Sequence, residues 1–205
     1  MAIQVLPITW PSAVNGLDPQ LNGNLGPCQL TDVFMYNVGH RSFTAAAKRA
    51  WDAMVVQCLG DTGFHLTSTD TYRTYQTQVN AFNTRMQSWY NPLTCTTITR
   101  VWNGKKYWLK RGYAPCATPG TSNHGWAIAV DVMVALGTTV VNIGNAQVTQ
   151  ARDWVIEHAT EYGFSWETEQ GTPGFELWHL RLVTGDEPTP RVLEVEAFLA
   201  AQAAA

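Results

Sequence analysis

An Asn-Gly pair at positions 103–104 separates two runs rich in β-branched and aromatic residues, 96–102 and 105–111. Both central residues of a two-residue hairpin turn need positive φ, which Asn and Gly tolerate best, so an antiparallel hairpin is predicted in mid-chain. Around it, helical spacing takes over. Phe43, Ala46, Ala47, Ala50, Trp51, Met54, Val55 and Cys58 recur at a helical period over 42–59, with Ser42 placed to cap the start and Gly60 to close the end. Tyr75, Val79, Phe82, Met86 and Trp89 form a second stripe, stopped by Asn91-Pro92. Further helices are predicted over 149–162, ahead of Gly163, and after Thr189, where Pro190 takes the first helical position. Strands are predicted over 64–69, 126–134, 164–167 and 177–183, and the mostly apolar 126–134 suggests burial on both faces. Residues 1–40, rich in Pro, Gly and Asn, read as an irregular arm wrapping the rest. Helices and strands do not alternate strictly, so the expected class is α+β: an antiparallel sheet covered by helices on one face, in a single domain over 1–205.

Composition narrows the partners. A chain of 205 residues with 45% hydrophobic content and nine Trp can bury one substantial core. Only 14% of residues are charged and the formal net charge is −3, so nothing draws the chain to nucleic acid or anionic membranes. The longest apolar runs are too short to span a bilayer. The first residues lack the basic start and apolar core of a Sec signal, so an extracellular substrate implies another exit route or a leader outside this sequence. Cys28, Cys58, Cys95 and Cys116 have no CxxC spacing, which argues against a thiolate zinc cluster. Cys58 falls on an apolar helix face; Cys95 and Cys116 bracket the hairpin and could pair in an oxidising space, or stay reduced. A monomer is expected.

Two segments carry the chemistry: Ser122-Asn123-His124-Gly125-Trp126-Ala127-Ile128-Ala129-Val130-Asp131 and Glu176-Leu177-Trp178-His179. A catalytic zinc takes three nitrogen or oxygen ligands and keeps one position open. His124, Asp131 and His179 supply that set, and Glu176 remains as a general base. Singly, each would read as a core or surface residue; their grouping favours a site. On a regular strand His124 and Asp131 would point to opposite faces, so Gly125 is expected to supply a bend. Glu176 and His179 have the same problem, and a bend is expected before the strand near Leu177.

Both segments resemble the paired signatures of the VanY-like D-alanyl-D-alanine carboxypeptidase and dipeptidase family of zinc peptidases. Ser122, His124, Gly125, Ala129 and Asp131 match its Ser-x-His…Asp pattern; Glu176, Trp178 and His179 match its Glu-x-x-His pattern. Tyr72-Arg73-Thr74-Tyr75-Gln76-Thr77-Gln78 is similar to its Tyr-Arg-Ser-x-x-x-Gln element, and the likeness spans roughly 40–195. The preceding Pro119-Gly120-Thr121 is typical of actinobacterial and actinophage members. The resemblance implies one zinc ion on His124, Asp131 and His179, with Glu176 activating the water and protonating the leaving amine. Arg73 is implied to steady the oxyanion, and Ser122, Gln78 and Trp178 to hold the substrate, a peptidoglycan stem peptide.

D-Ala-D-Ala carboxypeptidase activity is the expected reaction. L-Ala-D-Glu or cross-link endopeptidase activity of the same family is the alternative, as is a zinc-stabilised wall-binding module without catalysis, since the fold also occurs in hedgehog signalling domains. With no Sec signal read, a phage endolysin released through a holin-made lesion is expected; otherwise a secreted wall enzyme. Lys105, Lys106, Lys110 and Arg111 read as a solvated basic hairpin, and His158 as packing.

Overall fold

The computed structural model describes residues 3–172 and 174–204. In chain order the elements are β1 (Thr31–Met35), β2 (Gly39–Phe43), α1 (Ala45–Thr62), β3 (His65–Asp70), α2 (Tyr75–Arg85), β4 (Met86–Gln87), β5 (Cys95–Trp102), β6 (Lys105–Lys110), β7 (Ala129–Leu136), β8 (Thr139–Asn142), α3 (Thr149–His158), β9 (Phe164–Ser165), β10 (His179–Leu182) and α4 (Pro190–Ala203). The class is α+β, with antiparallel pairing throughout the three sheets.

Strand β7 organises the central sheet. It pairs with β3 along one edge, while β10 and β8 divide the other, and β9 extends the sheet beyond β10. Its alternate residues Val130, Val132 and Val134 are fully buried against Leu66, Leu180 and the α1 side chains Ala50, Trp51 and Met54. Each such aliphatic side chain contributes about 1.5–3 kcal/mol on burial, so this face holds the strand in register. The opposite face carries Ala129, Asp131 and Met133, of which Asp131 and Met133 are half-buried. Burial on both faces was expected; one face is sealed by helices, and the other buries Ala129 but presents Asp131 to a cavity.

The mid-chain hairpin forms as expected, with Asn103 at φ 50° and Gly104 at φ 72°. It builds a separate three-stranded sheet, β4-β6-β5, around Phe82, Met86 and Leu109. This sheet also shortens α2. The apolar stripe runs on to Trp89, but Met86 and Gln87 pair with Leu109 and Trp108 of β6, and Trp89 is 63% exposed. Sheet pairing and burial of Met86 outweigh helical periodicity there.

Other boundaries move for local reasons. Ser42 pairs with Asp32 inside β2, and Thr44 caps α1 by accepting from the Ala47 amide at 3.3 Å. Gly60 lies within α1, which closes at Gly63 in the left-handed conformation. Helix α3 continues as a 3-10 turn over Ala159–Tyr162 to Gly163, and α4 starts behind Thr189 with Pro190 first. The segment expected as an irregular arm, 1–40, contains β1 and the start of β2. Val33 and Met35 of β1 face inward while Asp32 and Phe34 face out, an alternation hidden among turn residues. The four cysteines are free. Among the described residues no helix is long and apolar enough to cross a membrane.

Gly125 is packed too closely for any side chain. A Cβ there would lie 2.0 Å from Asn22 Oδ1 and 2.5 Å from Gln78 Nε2. Gly125→Ala is expected to cost about 1–3 kcal/mol as an overpacking change. Urea denaturation of variant and parent checks this; equal midpoints would contradict the packing.

Candidate metal centre

The chain reaches His124 through a 3-10 turn, Asn123–Trp126, and not through a bulged strand. Ser122 caps that turn, accepting from the His124 amide at 3.3 Å, and Ala127 leaves it in the left-handed conformation at φ 54°. The expected bend is therefore present, but Ala127 makes it; Gly125 is there for the close approach of Asn22 and Gln78. At the second segment Glu176 and His179 are joined by a turn, the His179 amide donating to the Glu176 carbonyl at 3.1 Å. His179 then opens β10 directly opposite Asp131. Cross-strand neighbours share a face, so both side chains rise from the floor of the same cavity.

Three heteroatoms converge. His124 Nε2 lies 3.2 Å from His179 Nδ1 and 3.3 Å from Asp131 Oδ1, and His179 Nδ1 lies 3.1 Å from the same oxygen. Zinc bonds of ~2.0–2.1 Å in a tetrahedron place ligand atoms about 3.3–3.4 Å apart. The triangle fits one face of such a site and leaves the fourth corner free. His124 Nδ1 meets the Thr71 carbonyl at 2.7 Å. A carbonyl can only accept, so Nδ1 carries a proton, and with a cation bound Nε2 would present its lone pair. His179 Nε2 faces Glu167 Oε2 at 3.7 Å, which suits ligation through Nδ1.

The electrostatics match a cation-binding site. Burial works against ionisation of Asp131, but hydrogen bonds from His124 and His179 outweigh it and hold the carboxyl well below the usual range. Burial lowers the His179 pKa, yet the hydrogen bond and charge of Asp131 raise it overall. Glu176 moves the other way from Asp131: burial lifts its carboxyl above the ordinary value despite the nearby His179. A raised carboxyl pKa is what a proton-shuttling base requires.

Arg73 follows β3 on the segment that also supports His124. Its amide donates to the His124 carbonyl at 3.0 Å, and its guanidinium is paired with Asp70. Asp70 was not anticipated. It shares strand parity with Leu66 and Ser68, but a bulge after Ser68 puts it opposite Asp131, on the cavity side. Its spacing from Arg73, three residues, was the available signal.

A cavity of about 290 Å³ opens over the triangle, and Arg73, Ser122, Glu176 and Trp178 line it with His124, Asp131 and His179. Gln78 does not line it. It is 4% exposed, donates to Asn22 Oδ1 at 3.1 Å and to the Arg73 carbonyl at 3.2 Å, and accepts from the Gly120 amide at 2.9 Å. Gln78 thus braces the loops behind the site. Asn22, also unanticipated, donates to the Ser122 carbonyl at 2.8 Å from the other side. His158 packs against Trp154, with ring centroids 4.9 Å apart, and His40 pairs with Asp32 away from the cavity.

With its pKa raised in the fold, Glu176 holds its proton longer when folded than when unfolded. Stability it contributes in acid is lost as pH rises through that raised value. Metal-free Glu176→Gln is therefore expected to gain melting temperature over the parent near pH 7 and to lose that advantage below about pH 4, where an ordinary glutamate is itself protonated. Thermal scans across pH check this; a constant difference would contradict it.

The sequence profile of the family "VanY: D-alanyl-D-alanine carboxypeptidase" matches residues 40–185. A search of curated protein sequences gave no match. Among solved structures, the chain is similar to a mutant vancomycin-resistance D,D-pentapeptidase VanY from a VanB-type resistance cassette, in complex with Zn(II). The identity is 15%, with 97% of each chain covered and a TM-score of 0.50. VanYB in complex with D-alanine-D-alanine is also similar, at 15% identity, 98% and 97% coverage and a TM-score of 0.49. The family profile takes in β3, the turn that carries His124, and the strands that carry Asp131 and His179. The chain belongs to the VanY D-alanyl-D-alanine carboxypeptidase family.

Proposed function

We propose that the chain is a zinc-dependent D,D-carboxypeptidase that removes a terminal D-amino acid from peptidoglycan stem peptides. The observation that carries this reading is the triangle of His124 Nε2, Asp131 Oδ1 and His179 Nδ1, each edge 3.1–3.3 Å. Family membership supplies the reaction class. A bound zinc ion would act as Lewis acid toward the scissile carbonyl and make the attacking water acidic near neutral pH.

The chain's own residues account for the rest. Glu176 takes a proton from the attacking water and returns it to the leaving amine, so the amide C–N bond breaks with no net proton change at the enzyme. Arg73, oriented by Asp70, offers N–H donors to the oxygen that gains charge as the carbonyl becomes tetrahedral. Ser122 and Trp178 wall the cavity and fix the peptide beside the triangle. The Thr71 carbonyl holds the outer nitrogen of His124, and the Glu167 carboxylate faces that of His179 at 3.7 Å.

The Pro-Gly-Thr-Ser-Asn-His-Gly segment resembles actinobacterial and actinophage members alike, so a phage lysin and a bacterial wall enzyme are the finer roles to separate. Wall lysis needs a cut within the stem or cross-link, so lysis of actinobacterial walls by added zinc-loaded protein would favour the endopeptidase alternative and a lysin role; D-Ala release from soluble peptides with intact walls supports a carboxypeptidase that remodels the wall.

Two variants separate metal binding from catalysis. Glu176→Ala is expected to keep about one zinc per chain and lose at least about 10²-fold in turnover, while His179→Ala loses metal and turnover together. Elemental analysis alongside D-Ala release measures both, and near-parental hydrolysis by Glu176→Ala removes it as the base.

A further inference from the structure

Three guanidinium groups border the cavity: Arg73, Arg85 and Arg100. Arg73 has a carboxylate partner in Asp70. Among the described residues neither Arg85 nor Arg100 takes part in an ion pair. Arg85 ends α2 and Arg100 lies on β5, yet both rest on one short segment. Arg85 Nη1 donates to the Pro115 carbonyl at 3.4 Å. Arg100 Nε donates to the Cys116 carbonyl at 3.1 Å, and its Nη1 to the Thr99 carbonyl at 3.0 Å.

These bonds tie two cations to adjacent carbonyls at the cavity wall while leaving the Nη2 group of each without a protein acceptor among the described residues. The Cys116 thiol senses both: burial raises its pKa, and Arg85, Arg100 and Arg73 pull against that rise. Two half-buried positive charges held together repel, and an anion between them relieves the repulsion. A guanidinium fork matches a carboxylate in shape as well as charge. The acidic groups lining the same cavity have other duties, with Asp131 in the triangle, Glu176 as the proposed base and Glu167 beside His179.

We propose that Arg85 and Arg100 form a carboxylate-receiving subsite that anchors the peptide on the hairpin-sheet side of the triangle. This rests on the peptidase reading. Stem peptides offer two carboxylates of suitable chemistry, the free C-terminus and the free carboxylate of an internal D-glutamyl residue. Both arginines set substrate affinity and take no part in bond breaking.

The test uses zinc-loaded parent, Arg85→Gln and Arg100→Gln proteins with L-Ala-D-Glu-L-Lys-D-Ala-D-Ala in three forms: both carboxylates free, the C-terminal amide, and the D-glutamyl amide. KM and kcat are measured for cleavage of the last peptide bond, with calorimetric binding in parallel. KM does not depend on the folded fraction, so a poorly folding variant still reports. Each substitution is expected to raise KM for the unmodified peptide about tenfold, a charge-assisted hydrogen bond being at stake, with kcat nearly unchanged. Loss of that penalty on the C-terminal amide assigns the subsite to the terminal carboxylate; loss on the D-glutamyl amide assigns it to the internal one. An equal penalty on all three forms, or no penalty, overturns the proposal. If the parent releases nothing but binds the peptide in an arginine-dependent way, the peptidase reading falls and the subsite stands.

Discussion

Three electron-rich atoms aimed at one point from scarcely more than 3 Å do not stay there unaided. The surrounding structure can be understood as what it takes to hold them. Asp131 is fixed by the burial of its strand neighbours Val130 and Val132, His179 by its place opposite Asp131, and His124 by bonds to Thr71 and Arg73. In the metal-free protein, His179 and Asp131 answer each other's charge, one pKa raised and the other lowered. A cation entering the triangle must therefore displace a proton, which links metal loading to pH.

The two sheets divide the labour around the cavity. The central sheet supplies the floor and a rigid backing, since its far face is packed against α1. The hairpin sheet has a small core of its own, in which Phe82 meets Trp102 and Tyr107 edge to face, and it contributes Arg100 to the wall. Two of the converging side chains, Asp131 and His179, stand on the central sheet, while Arg100 of the hairpin sheet lines the same cavity. Helix α2 joins the two, with Arg73 just before its first turn and Arg85 at its last residue.

How much of this could be read from the chain alone follows from how local each signal is. The mid-chain turn was legible because Asn103 and Gly104 meet a conformational demand that their neighbours do not affect. His124, Asp131 and His179 were legible as a group because two short motifs hold all three, and the structure brings them together. Asp70 was not, since strand parity assigns it to the core face until the bulge after Ser68 reverses it. Helix α2 was overrun because a periodic stripe says nothing of the strand waiting to pair with Met86. Gln78 looked like a substrate contact within its motif, whereas its amide spans three partners, Asn22, Arg73 and Gly120, that lie far apart in the chain.

The least regular part of the molecule has the most unexpected reach. Asn22 and Gly23 are wedged between the turn that bears His124 and the start of α2: the Gly23 amide donates to the Gly125 carbonyl at 2.9 Å, and its carbonyl receives the Tyr75 amide at 2.8 Å. Both residues lie ahead of the segment that the family profile recognises, 40–185. A fragment trimmed to those recognisable limits would keep every ligand and lose the keystone that locks the first of them in place. The functional unit of this enzyme is thus longer at its amino end than its signature motifs imply.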